Sequence, residues 1–122
     1  MPRKSPTWAW TVALADPADL VIIETPTNPM MEEISIPEAA ELAHAAGAKL
    51  VVDNTFYTPV VCRPLERGAD VVVYSATKYL GGHNDVMAGA VVVAEHLPQG
   101  ARVRWPEGGP ATPAAVEAAL RE

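Results

Sequence analysis

Four short runs of aliphatic residues constrain the fold more than anything else in this chain. Residues 20–24 (LVIIE), 50–53 (LVVD), 70–74 (DVVVY) and 88–94 (AGAVVVA) are continuous in their apolar character. A strand with one wet face alternates apolar and polar residues. An uninterrupted run rich in Val and Ile reads instead as a strand covered on both faces. Between the first two runs lies a helical segment. Ser35 is placed as its N-cap, Pro37 falls in the first turn, and Glu38 completes a Ser-x-x-Glu capping box. Ala39, Leu42, Ala43 and Ala46 share one face at helical spacing, and Gly47 is suited to end the helix. The next connection is a loop at 55–59, then one helical turn at 64–67 closed by Gly68. The order strand, helix, strand, short connection, strand, loop, strand predicts an α/β domain on a mostly parallel sheet. Residues 1–19 read as a lead-in, 20–96 as the domain, and 97–122 as a divergent tail in which Thr112 caps a short helix at 113–121.

Composition narrows the function. A chain of 122 residues suits one small domain, and 49% apolar with 20% charged residues is the balance of a globular protein, not a disordered one. A net charge of −6 argues against a nucleic-acid partner, which would demand a basic face. No run approaches the ~20 apolar residues of a membrane span. Arg3 and Lys4 precede an apolar stretch at 8–15, but it is short and holds Thr11, so a secretory leader is not expected. The single Cys62 precludes an internal disulfide and fits a reducing, cytoplasmic setting, where it reads as a small buried hydrophobe.

Ligands of such sheets bind beyond the carboxyl ends of the strands. Asn28, Asp53 and the run Ser75-Ala76-Thr77-Lys78 all follow predicted strand ends. Together they hold the parts that pyridoxal phosphate requires. Lys78 can take up the aldehyde, Asp53 can face the pyridine nitrogen, and the Ser75 and Thr77 hydroxyls can hold the phosphate. Partial burial of the amine would favour the neutral nucleophile. Each residue also has an ordinary use. A lysine after a strand is usually solvated, Asp53-Asn54 can open a turn, and Ser75 and Thr77 can satisfy loop backbone. His83-x-Asp85 is too sparse for a metal site. His44 and His96 read as surface residues, and Glu32-Glu33 as surface charge. Thr25-Pro26-Thr27-Asn28-Pro29 forms a stiff loop in which Asn28-Pro29 is a candidate cis bond.

In combination these residues resemble a family. The run Asp70-Val71, then Ser75-Ala76-Thr77-Lys78-Tyr79-Leu80-Gly81-Gly82-His83-Asn84, is similar to the cofactor-attachment signature of the Cys/Met-metabolism pyridoxal-phosphate enzymes, among them cystathionine γ-synthase, cystathionine β- and γ-lyases and methionine γ-lyase. Glu24-Thr25-Pro26-Thr27-Asn28-Pro29 and Val52-Asp53-Asn54-Thr55 resemble two further blocks in the same order. The resemblance implies the central part of a fold-type-I, aminotransferase-like large domain, in which Lys78 attaches the cofactor and moves the Cα proton. It implies that Asp53 pairs with the pyridinium nitrogen, that Ser75 and Thr77 bind phosphate, and that Asn28 meets the ring oxygen or the substrate. The implied substrates are sulfur-containing amino acids, undergoing β- or γ-elimination or γ-replacement, and the implied assembly is a homotetramer. Family members are considerably longer. The upstream glycine-led phosphate loop, ring-stacking tyrosine and arm into the neighbouring site are not matched, nor is the downstream arginine that holds the substrate carboxylate. Arg102, Arg104 and Arg121 do not take that role. The resemblance therefore implies a partial domain, with little activity expected of the isolated chain; the alternative is a non-catalytic remnant that binds cofactor weakly or associates with other chains.

Overall fold

The computed structural model describes residues 15–97. The expected tail helix at 113–121 and most of the lead-in lie outside them. Four strands form one sheet in the order β1-β2-β3-β4: β1 Leu20–Glu24, β2 Lys49–Asp53, β3 Val71–Ser75 and β4 Gly89–Val93. The first three run parallel and β4 is antiparallel to β3. Helix α1, Ile36–Ala45, links β1 to β2. The four-residue helix α2, Thr58–Val61, and a 3-10 turn, Pro64–Arg67, link β2 to β3. The expected loop at 55–59 therefore contains the start of α2, where Pro59 fits the first turn of a helix.

Two details of α1 differ from the sequence pattern. Its buried stripe is Ile36, Ala39, Ala40 and Ala43, while Ala46 is exposed. Ile36 is the larger apolar anchor, and it turns the face toward Ala40. Nor does the Ser35 side chain cap the helix; its carbonyl accepts from the Ala39 N–H at 2.9 Å. Pro37 has already removed one first-turn donor, which lowers the need for a side-chain cap.

The core lies between α1 and one face of the sheet, where Val21, Ile23, Leu50, Val52, Val72 and Tyr74 pack with the alanines of α1 and with Cys62. On the other face Val51 and Val71 are buried with Leu97. That second face is only partly covered by the described residues, for Ile22 is 40% exposed. The expectation of two covered faces thus holds fully only for the helix side.

Asp70 ties the amino end of the sheet together. Its carboxylate is fully buried. Oδ2 accepts from the Leu50 N–H at 2.7 Å and from His44 Nε2 at 2.8 Å, and Oδ1 accepts from His96 Nε2 at 2.7 Å. Lys49 Nζ stands 3.9 Å from Oδ1. The backbone takes part as well: Asp70 N–H donates to the Leu50 carbonyl, and its own carbonyl accepts from Ala94 N–H. His44 and His96 are therefore not simple surface residues. Their rings remain partly exposed, yet each closes one side of a buried anion. Burial alone would raise the Asp70 pKa, but the hydrogen bonds from Leu50, His44 and His96 outweigh it and hold the carboxyl below its ordinary range.

A lowered folded-state value means that the stability Asp70 supplies is complete above the ordinary carboxylate range and is lost as pH falls through the lowered value. Asp70→Ala is expected to cost about 2–4 kcal/mol in urea unfolding at neutral pH, because several charge-assisted bonds vanish together. Much of the wild-type stability lost on acidification should then be absent from the variant. Gly68 supplies a second check. It ends the 3-10 turn with φ of 101°, and a Cβ there would sit 2.9 Å from Ala40 Cβ on α1. Gly68→Ala is expected to cost about 1–3 kcal/mol, and adding Ala40→Gly should recover only the steric part, as read from the urea midpoints.

Candidate functional site

Parallel pairing in register brings the carboxyl ends of β1, β2 and β3 level. Glu24 pairs with Asp53, and Asp53 with Val73. Each chain then turns out of the sheet at the same edge, and the three exits surround a cleft of about 600 Å³. That volume suits a small organic ligand. Asn28, Asp53, Ser75, Thr77 and Lys78, the five residues singled out from the sequence, all line it. Glu24, Thr55, Phe56, Tyr79 and Asn84 line it too.

The β1 exit is a tight loop. Thr25–Pro26 and Asn28–Pro29 are both cis, where one such bond was a candidate. Buried Thr25 accepts the Ile34 N–H on Oγ1 at 3.1 Å, and Thr27 Oγ1 accepts the Glu32 N–H at 3.0 Å. These bonds close the loop back on itself and leave Asn28 exposed at its tip.

At the β2 exit Asp53 and Thr55 form a turn. Asp53 Oδ1 accepts from the Thr55 N–H at 3.0 Å and from Thr55 Oγ1 at 2.6 Å. Asn54, buried between them in sequence, points the other way. Its Nδ2 donates to the Cys62 carbonyl at 2.8 Å and to Tyr74 Oη at 3.1 Å, and Oδ1 has no partner among the described residues. The turn-forming use of Asp53-Asn54 thus coexists with a place in the cleft. Nearby, Tyr57 Oη donates to Glu33 Oε1, which pushes the tyrosine up to about 12, with burial adding to the effect. Glu33 is accordingly a partner across two loops and not free surface charge. Burial pushes the Cys62 thiol up, as befits a core residue.

The β3 exit carries Lys78. Its N–H donates to the Ser75 carbonyl at 3.1 Å, and its carbonyl accepts from the Gly82 N–H at 2.9 Å. Gly81 N–H bonds the Ala76 carbonyl at 2.7 Å; a Cβ on Gly81 would lie 2.8 Å from that oxygen and 2.5 Å from Val86 Cγ1, so the winding admits no larger residue. Lys78 is exposed, not partly buried as expected, because the loop projects past the sheet edge. Thr77 Oγ1 accepts from the Ala88 N–H at 3.0 Å and donates to its carbonyl at 3.3 Å, the backbone-satisfying use of a loop threonine. The Phe56 and Tyr79 rings meet at 6.4 Å with a 56° tilt, joining the β2 and β3 exits.

An amine, a carboxylate and hydroxyls thus face one open cleft, a donor set that fits a phosphorylated pyridine aldehyde. Comparison with known proteins agrees. Over 75 residues the chain is 61% identical to a cystathionine γ-synthase/O-acetylhomoserine (thiol)-lyase of Bacillus subtilis, covering 62% of this chain and 20% of that protein. Over 121 residues it is 46% identical to an L-methionine γ-lyase of Streptomyces avermitilis, covering 94% of this chain and 29% of that one. Among solved structures, a cystathionine γ-synthase from Xanthomonas oryzae pv. oryzae in complex with cystathionine superposes with a TM-score of 0.72 at 44% identity, over 75% of this chain and 24% of that one. The chain therefore spans between a fifth and a third of the length of these relatives. Residues 4–119 match the sequence profile of the Cys/Met metabolism PLP-dependent enzymes, and the chain belongs to that family.

Proposed function

We propose that this chain carries the cofactor-attaching lysine and part of the cofactor cradle of a pyridoxal-phosphate-dependent enzyme acting on sulfur-containing amino acids. The observation that carries this reading is the convergence of Lys78, Asp53, Ser75, Thr77 and Asn28 on one cleft at the carboxyl edge of the sheet. The cofactor, when bound, supplies an electron sink for a carbanion at the substrate Cα. With the cofactor bound, Lys78 Nζ would attach to its aldehyde carbon, the aldehyde oxygen leaving as water, and would carry the proton removed from Cα. Asp53 would pair with the ring nitrogen. The Ser75 and Thr77 hydroxyls would hold the phosphate, and Asn28, exposed at the tip of its loop, would meet the ring oxygen or the substrate. The β- or γ-elimination or γ-replacement that the resemblance implies is the reaction proposed for the enzyme in which these residues act.

A second reading has an observation of its own. Val60 and Met87 are more than nine-tenths exposed and Met30 is 70% exposed. Val61, beside Val60 on α2, is 67% exposed as well, and such an apolar pair left in water favours association with further polypeptide, as in the homo-oligomer that the resemblance implies. On this reading the isolated chain holds the cofactor weakly and turns nothing over.

Mixing the purified chain with pyridoxal phosphate, reducing with borohydride and mapping the peptides tests the site. The adduct is expected on Lys78 and should disappear in Lys78→Ala. Equal labelling of Lys4, Lys49 and Lys78 would sink the assignment. Release of α-keto acid from cystathionine or methionine by the chain alone would overturn the second reading.

A further inference from the structure

Thr55 links the β2 and β3 exits by hydrogen bonds through one side-chain atom. Its hydroxyl donates to Asp53 Oδ1 at 2.6 Å and accepts the Ser75 N–H at 2.8 Å. A hydroxyl has one proton to give, so the direction of both bonds follows. The backbone ladder between β2 and β3 ends with Asn54 N–H on the Val73 carbonyl. The next inward donor on β3 is the Ser75 N–H, and β2 has already turned away. Thr55 Oγ1 takes the place of the missing carbonyl and extends the ladder by one rung. The same hydroxyl donates its own hydrogen bond to Asp53. With the Thr55 N–H also on Oδ1 at 3.0 Å, that carboxylate oxygen takes two hydrogen bonds, while Oδ2 takes none among the described residues.

We infer that Thr55 is a positioning residue: its hydroxyl fixes the rotamer of the Asp53 carboxylate relative to the backbone that leads into Ser75 and Lys78, so that the ring-nitrogen contact and the lysine are held in one geometry. This rests on the reading of the cleft as the cofactor site. It assigns Thr55 no contact of its own with the reacting atoms. Orientation set in this way is worth about a factor of ten in binding, the effect of one hydrogen bond to a charged group.

The test compares Thr55→Val, which keeps the shape and loses the hydroxyl, with Thr55→Ser, which keeps the hydroxyl. Two readouts are needed. Hydrogen exchange of the chain without cofactor reports the rung itself: Ser75 N–H should lose protection in Thr55→Val and keep it in Thr55→Ser. Titration with pyridoxal phosphate, followed by absorbance across pH, reports the link to Asp53. Affinity should fall roughly tenfold in Thr55→Val, the pH profile of the bound cofactor should change, and Thr55→Ser should restore both. In an Asp53→Ala background, Thr55→Val should have no further effect on affinity or on the pH profile. Additive losses in that double variant would show a role independent of Asp53 and overturn the inference, as would unchanged affinity in Thr55→Val. If instead the wild-type chain forms no Lys78 adduct, the cofactor reading itself has failed, and the inference with it.

Discussion

A fully buried carboxylate holds this domain in register. Asp70 accepts from a β2 amide, from a histidine at the end of α1 and from a histidine just past β4, while its own main chain bonds to β2 and to the residue after β4. An ion deprived of water needs every lone pair met, and here the donors come from three different elements. None of these elements can slide without orphaning the charge. The antiparallel return of β4 matters for the same reason, because it carries His96 back to the edge where Asp70 sits.

The two edges of the sheet consequently do different work. At the amino edge the polar groups are turned inward and matched to one another. At the carboxyl edge the chains separate, and polar groups are left facing a cleft. The register that Asp70 secures at one edge is transmitted along five-residue strands to the other, where it sets Asp53 beside Glu24 and level with Val73, two residues short of Ser75. Thr55 and the Phe56–Tyr79 contact then knit together exits that the ladder no longer joins.

Much of this was legible in the sequence. The apolar runs gave the strands nearly to the residue, because strands without alternation have few other readings. Gly68 closed its turn as expected. The five cleft residues followed from one rule about where ligands bind in such sheets, together with the chemistry that an amine, a carboxylate and hydroxyls make available. What escaped was long-range. His44 and His96 each lie 26 residues from Asp70, and nothing local in either stretch marks them as partners. Nothing in the sequence around Thr55 reveals its task, since that depends on where Ser75 comes to rest. Glu33 and Tyr57 were hidden in the same way, by a contact between two loops. The buried stripe of α1 begins three residues earlier than the pattern suggests, at Ile36 and not Ala39, because small alanines mark a stripe only weakly.

The pinned backbone around Lys78 has a thermodynamic side. Both its N–H and its carbonyl are tied within the loop, while the side chain stands in solvent with its rotamers open. Folding therefore removes the main-chain freedom of this residue and leaves the side chain's share, up to about 2 kcal/mol for a lysine, intact. Any bond that the amine makes must draw on that remaining entropy. The loop thus fixes where the amine is anchored and leaves its direction unset.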